Sequence, residues 1–199
     1  MSKTVIYGGS FDPLHFGHIE LAKTALSETG ATRLIFIPAK VSPFKENVKQ
    51  TEFVHRYNMC KLACTYVGNA ITEDIEYHLP APSYTVNTLM EIKKKYKDDL
   101  ILVCGADSFM ELEKWKNPEK IFSLAEIFTA VRDDVDISAL NLKKIELEKM
   151  GAKVILSKMP PVDISSTKVR ENIKNNISIQ NLVPKEISEY INTQNLYKE

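Results

Sequence analysis

Short runs of β-branched and apolar residues alternate along the chain with longer stretches whose apolar positions recur every three or four residues. The runs Thr4 to Tyr7, Leu34 to Ile37, Ala70 to Ile75, Leu100 to Cys104, Ile127 to Val131 and Val154 to Leu156 read as strands. Between them, Gly17 to Glu28 reads as a helix with Ala22, Ala25 and Leu26 inward and Gly30 just past its end. A second helix opens near Thr51 and carries Val54, Met59, Leu62 and Ala63. A third follows Pro82-Ser83 as far as about Tyr96, with Val86, Leu89, Met90 and Ile92 as its apolar set. Asn117-Pro118, a cap and a first-turn proline, starts a short helix through Leu124, and Ser138 to Met150 is a helix closed by Gly151. Ser165 or Ser166 caps another, and Pro184 opens a last one. Strands alternating with helices predict an α/β fold, a doubly wound parallel sheet with helices on both faces, followed by a small C-terminal helical part.

At 199 residues the chain suits one domain, with the α/β core over about 1–160 and the helical part over about 161–199. The 26 basic residues are matched by 26 acidic ones, which argues against nucleic acid or an anionic membrane as partner. Anionic substrates must then be held by local groups. No apolar run approaches the ~20 residues that span a bilayer, and the chain passes from Met-Ser-Lys straight into a strand pattern, so a cytoplasmic protein is expected. Its three cysteines, Cys60, Cys64 and Cys104, are odd in number and suit reduced thiols. Cys60 and Cys64 share a helix face, where two buried thiols are the default over a metal pair. Whether copies of the chain form a homo-oligomer is left open. The irregular stretch from Pro38 to Gln50 is long for a connection in a compact domain and reads as a functional loop.

The densest chemical signal is Gly8-Gly9-Ser10-Phe11-Asp12-Pro13-Leu14-His15-Phe16-Gly17-His18, which leaves the first strand and opens the first helix. Glycines at a strand exit let main-chain N–H groups approach an anion, and the helix start adds its positive dipole end. Histidines three residues apart can point at one spot. A lone histidine is more often structural, but two within a glycine-flanked turn are built for phosphate, and the ligand expected is a nucleoside triphosphate. Neither Gly-x-Gly-x-x-Gly nor Gly-x-x-x-x-Gly-Lys-Ser/Thr occurs, so redox-cofactor binding and P-loop hydrolysis are disfavoured. Ser165 and Ser166, with Arg170 one turn on, offer a second anion-binding helix start, though a serine cap beside a surface arginine would look the same. Gly105-Ala106-Asp107 closes a buried-strand pattern, where a doubly wound sheet opens its ligand crevice.

The histidine run resembles the signature of the paired-histidine nucleotidyltransferases, and its wording is most similar to the nicotinate mononucleotide adenylyltransferases. Further matches extend the resemblance to Tyr197. It implies a Rossmann-like fold and the joining of ATP and nicotinate mononucleotide into nicotinate adenine dinucleotide and pyrophosphate, with magnesium accompanying ATP and no metal held by the protein alone. On this resemblance His15 and His18 are catalytic. Gly8, Gly9, Ser10, Phe11, Gly105 and Asp107 bind ATP, with the second phosphate motif at Ile164, Ser165, Ser166, Thr167 and Arg170. Lys45, Tyr84, Thr85 and Trp115 take the mononucleotide, Trp115 by stacking. Phe44 stands where the family usually has histidine, Asn87 where it has aspartate, and Arg56 matches a family arginine whose use is open. The tail at Leu196-Tyr197 is expected only to pack. The phosphopantetheine adenylyltransferases share the histidine motif and remain the rival enzyme, and a nucleotide-sensing protein without turnover is the rival of another class.

Overall fold

The computed structural model describes residues 2–41, 50–130, 137–157, 159–160 and 162–198. Its elements, in chain order, are β1 (Lys3–Gly9), α1 (Phe16–Thr29), β2 (Arg33–Pro38), α2 (Phe53–Val67), β3 (Ala70–Thr72), α3 (Ile75–His78), α4 (Thr85–Lys95), β4 (Asp99–Cys104), α5 (Ala106–Met110), α6 (Pro118–Leu124), β5 (Ala125–Ala130), α7 (Ile137–Lys149), β6 (Val154–Ser157), α8 (Ser166–Lys174) and α9 (Lys185–Thr193). The strands form one sheet in the order β3-β2-β1-β4-β5-β6, and every pairing is parallel.

Side chains alternate across a strand, and both faces are apolar here. Val5, Tyr7, Leu34, Phe36, Ile101 and Val103 pack on one face with α1, α2, α8 and α9. Ile6, Ile35, Ile37, Leu100, Leu102 and Cys104 pack on the other with α4, α5, α6 and α7. This is the doubly wound arrangement that the sequence predicts. β1 hands on to β2 on one side and pairs with β4 on the other, so the crossovers diverge between β1 and β4 and leave a crevice at the carboxyl ends of these strands. Gly8-Gly9 and Cys104-Gly105 sit at its lip.

Two local expectations are corrected. The Ala70 to Ile75 run is not one strand: β3 ends at Thr72, the Glu73 N–H makes the last rung to the Phe36 carbonyl, and Ile75 begins α3. As an edge strand β3 pairs only with β2, so little extends it once the chain turns at Asp74. Asn117 precedes α6, but in the left-handed region (φ 54°) and with no side-chain capping bond; Pro118 takes the first turn. Gly30 and Gly151 close α1 and α7 with φ of 65° and 92°. Val131, Phe44 and Lys45 lie outside the described residues.

Candidate active site

The turn between β1 and α1 is built around a ring. Phe11 adopts φ 49°, a left-handed conformation unfavourable for a bulky residue, and is held there by burial to 1 % exposure. Its ring meets Tyr7, Phe36 and His18 edge to face, with centroids 5.3, 5.6 and 5.2 Å away. A Cβ added to Gly9 would come within 3.0 Å of that ring, so glycine is what lets the ring lie over the main chain. His15 is the N-cap of α1, and its backbone N–H donates to His18 Nδ1 at 3.2 Å. A neutral His18 therefore carries its proton on Nε2, as a donor. The two imidazoles stack with centroids 3.7 Å apart and planes 30° apart; both charged, they would repel, and a polyanion beside them offsets that repulsion.

Distant parts of the chain fasten this turn. Arg56, 1 % exposed, donates from Nη1 to the carbonyls of Ser10 (2.9 Å) and Ala39 (2.7 Å) and from Nε to that of Thr51 (2.8 Å). It ties the exit of β1 to the exit of β2. Burial lowers its pKa, and the neighbouring Asp12 charge opposes that shift. The Asp12 carboxylate accepts from the Tyr197 hydroxyl at 2.6 Å and the Thr51 N–H at 3.2 Å. Arg170 Nη1 donates to the Asp12 carbonyl at 2.8 Å, and Ser166 Oγ donates to the Pro13 carbonyl at 2.9 Å. Ser165 is the cap of α8, accepting from the Lys168 N–H at 3.1 Å.

A cavity of about 510 Å³ opens over the crevice. Gly8, Gly9, Ser10, Phe11, His18 and Ser166 line it, as do Asp107 and Ser108 at the start of α5. Tyr84, Thr85, Trp115 and Lys116 share the lining, with Glu76 and Thr88 also in the wall. Tyr84 is the N-cap of α4, so the first-turn amides of that helix face the same region. Lys116 Nζ sits 4.1 Å from the centroid of the Tyr84 ring. One hollow thus gathers phosphate-seeking groups and aromatic rings. His15 stacks on His18, while Gly105, Ile164, Ser165, Thr167 and Arg170 are not in the wall of the hollow, and Arg170 lines a second cavity with Asp12 and Tyr197.

Compared with known proteins, residues 6–172 match the family model described as Cytidylyltransferase-like. The protein named "Probable nicotinate-nucleotide adenylyltransferase" in Lachnoclostridium phytofermentans is 36 % identical over 199 residues, which cover 99 % of this chain and 100 % of that one. Its namesake in Clostridium novyi is 35 % identical, with both chains fully covered. The chain belongs to the nicotinate-nucleotide adenylyltransferases, within the cytidylyltransferase-like family. Plasmodium falciparum nicotinic acid mononucleotide adenylyltransferase complexed with NaAD superposes with a TM-score of 0.81 at 21 % identity, over 99 % of this chain and 98 % of that one. The same enzyme complexed with APC gives 0.76 at 20 %, with the same coverage. These structures share the fold.

Several residues of this nicotinate-nucleotide adenylyltransferase that shape the hollow carry no signal in the sequence. Glu76, 5 % exposed, accepts from Thr88 Oγ1 at 2.8 Å. Burial pushes its carboxyl above the ordinary range, against the hydrogen bond from Thr88. Lys116 reads as a surface lysine until Tyr84 is found beneath it. The acid and alcohol of the Asp12–Tyr197 pair stand 185 residues apart, a partnership only folding can reveal.

Proposed function

We propose that the chain transfers the adenylyl group of ATP to nicotinate mononucleotide, giving nicotinate adenine dinucleotide and pyrophosphate. The observation that carries this reading is one hollow lined by His18 and the glycine turn together with Tyr84 and Trp115, within the size range of pockets for such ligands. A phosphate oxygen of the mononucleotide attacks the α-phosphorus of ATP in line; the new P–O bond forms as the α–β bridging bond breaks and pyrophosphate leaves. No base is required, because a phosphate monoester has a second pKa of about 6 and is largely charged at neutral pH. The chain's work is alignment and relief of charge repulsion. ATP enters as its magnesium complex, and the amides, hydroxyls and imidazoles at the glycine turn suit phosphate oxygens, leaving the cation mainly to phosphates and water.

In this reading His18 Nε2–H donates to the triphosphate, with His15 stacked behind it and the amides of Gly8 to Ser10 and the Ser166 helix start assisting. Arg170 holds the turn through the Asp12 carbonyl, and Asp107 accepts from adenosine ribose hydroxyls. Trp115 stacks on the pyridinium, worth about 0.5–2 kcal/mol. The first-turn amides of α4 meet the nicotinate carboxylate, where a carboxamide NH₂ would face donor with donor. Lys116 adds positive charge beside Tyr84, and the family resemblance assigns Lys45 to the same substrate. The free cysteines suit the reducing cytoplasm in which we place the reaction.

The test is pyrophosphate release from magnesium–ATP with each acceptor in turn. Nicotinate mononucleotide should exceed the amide by about 10-fold or more in kcat/KM, the worth of one buried mismatch, and phosphopantetheine should be inert. His18→Ala should lower kcat by about 10² to 10³. Release driven by phosphopantetheine, or by no acceptor at all, would overturn the assignment, and near-normal turnover of His18→Ala would remove the histidine from its role.

A further inference from the structure

The end of the chain does more than pack. Tyr197 is half-buried and is reached through two left-handed residues, Asn195 (φ 53°) and Tyr197 itself (φ 63°), an arrangement that costs backbone energy and needs compensation. Its ring and Leu196 rest against the α1-face core, and its hydroxyl donates to Asp12 Oδ1 at 2.6 Å. Asp12 Oδ2 takes the Thr51 N–H and the Asp12 carbonyl takes Arg170, so both carboxylate oxygens and the carbonyl are engaged from three separate regions of the chain. Asp12 follows Phe11, whose ring packs on His18, and precedes His15 by one turn of chain. A residue that only plugged the core would need the ring and not the hydroxyl.

We propose that Tyr197 is a positioning residue for the phosphate-binding turn, acting through the Asp12 carboxylate to hold the His15–His18 pair in register with the hollow. With both oxygens of Asp12 fixed, the turn cannot roll about the Ser10–His15 chord, and the imidazole stack keeps its place. The outer side of this junction faces a second, polar cavity of about 600 Å³ lined by Asp12, Thr51, Arg170 and Tyr197. Water entering there can hydrate Asp12 when the phenol is lost, so the fold survives while the turn loosens. The loss should fall on kcat, because misplacing a transition-state donor by about 1 Å costs up to about 10² in rate without removing ground-state contacts.

The proposal rests on the adenylyl-transfer reading and is tested by a double-mutant cycle in the pyrophosphate-release assay, with the unaltered chain run alongside. Tyr197→Phe should lower kcat about 5- to 10-fold, with KM for ATP and for nicotinate mononucleotide within about 2-fold and native circular dichroism retained. Asp12→Asn should lower kcat comparably, and the double variant should be no worse than the poorer single one, since the two act as one unit. Unchanged kcat in Tyr197→Phe, losses that multiply in the double variant, a rise in KM alone, or failure of Tyr197→Phe to fold would each overturn it. An inactive unaltered chain would instead overturn the reading of the reaction.

Discussion

At the scale of single residues, Glu76 is a carboxyl that burial moves away from its ordinary chemistry. Its carboxyl lies in the wall of the hollow, and burial raises its pKa from the usual carboxyl value of 4.5 despite the bond from Thr88. The sign follows from linkage. Below the ordinary value the group is protonated in both folded and unfolded chain and costs nothing. As pH rises from there through the raised folded value, the unfolded chain releases its proton first, so stability falls, and the cost persists at neutral pH. Glu76→Gln keeps the shape and the acceptor for Thr88 while removing the charge. The melting temperature of the variant relative to the unaltered chain should therefore rise between pH 4 and pH 7, as read by thermal unfolding at the two pH values. A difference that stays constant with pH would mean that Glu76 titrates no differently in the folded chain. Arg56, by contrast, spends its donors on carbonyls at three places, so its role is one of geometry and a lysine could not take it over.

At the scale of elements, the start of α1 shows how function constrains a helix. Gly17 sits in its first turn with no left-handed requirement, and on propensity alone alanine would be the better residue. A Cβ there would stand 3.1 Å from both Nδ1 and Cε1 of His15 and 3.5 Å from the Ile164 carbonyl. The His15 ring already stacks on His18 at 3.7 Å, so any shift it makes is passed to the second imidazole. Gly17→Ala should leave the melting temperature within a few degrees, since helix propensity and crowding of one ring are each worth about 1 kcal/mol and oppose one another, yet lower kcat by about 10-fold or more. Unchanged turnover would show that the ring has room to yield. The sequence made legible those elements whose signal is periodic or punctuated: buried parallel strands are unbroken apolar runs, and Gly30, Pro118 and Gly151 mark ends. It did not show α3, because the four residues of Ile75–His78 carry no period and Ile75 reads as part of the strand before it. The histidine turn was legible because its chemistry is contiguous. The supports from Arg56, Glu76 and Tyr197 were not, because each depends on carbonyls, hydroxyls or a carboxylate brought close only by the sheet.

At the scale of the whole molecule, the question is whether the C-terminal helices are an appendage, as the division into about 1–160 and about 161–199 suggests, or part of the unit that folds. Val169, Val183, Ile187 and Ile191 are fully buried and belong to the same cluster as Val5, Ile19, Leu34 and Met59. Tyr190 receives a hydrogen bond from Asn58 at 3.0 Å and lies 2.9 Å from His55 Nδ1, and Tyr66 bonds to Glu186, so α9 is fastened to α2 by polar contacts as well. Burying four such side chains contributes on the order of 6–12 kcal/mol, comparable to the entire stability of about 5–15 kcal/mol expected of a domain. A chain cut after residue 160 therefore has too little left to hold the α1 face closed, and with it goes the register of α1 and its histidines. The intact chain should unfold in a single transition. Trp115, the one tryptophan, packs against the opposite face of the sheet, so its fluorescence reports on the core cluster that α8 and α9 do not help to build. In urea its transition should coincide with that of far-ultraviolet circular dichroism, and the shortened chain should lack native tryptophan emission. Two separated transitions, or a shortened chain with native emission, would make the helices an independent attachment and leave the α/β core to stand without them.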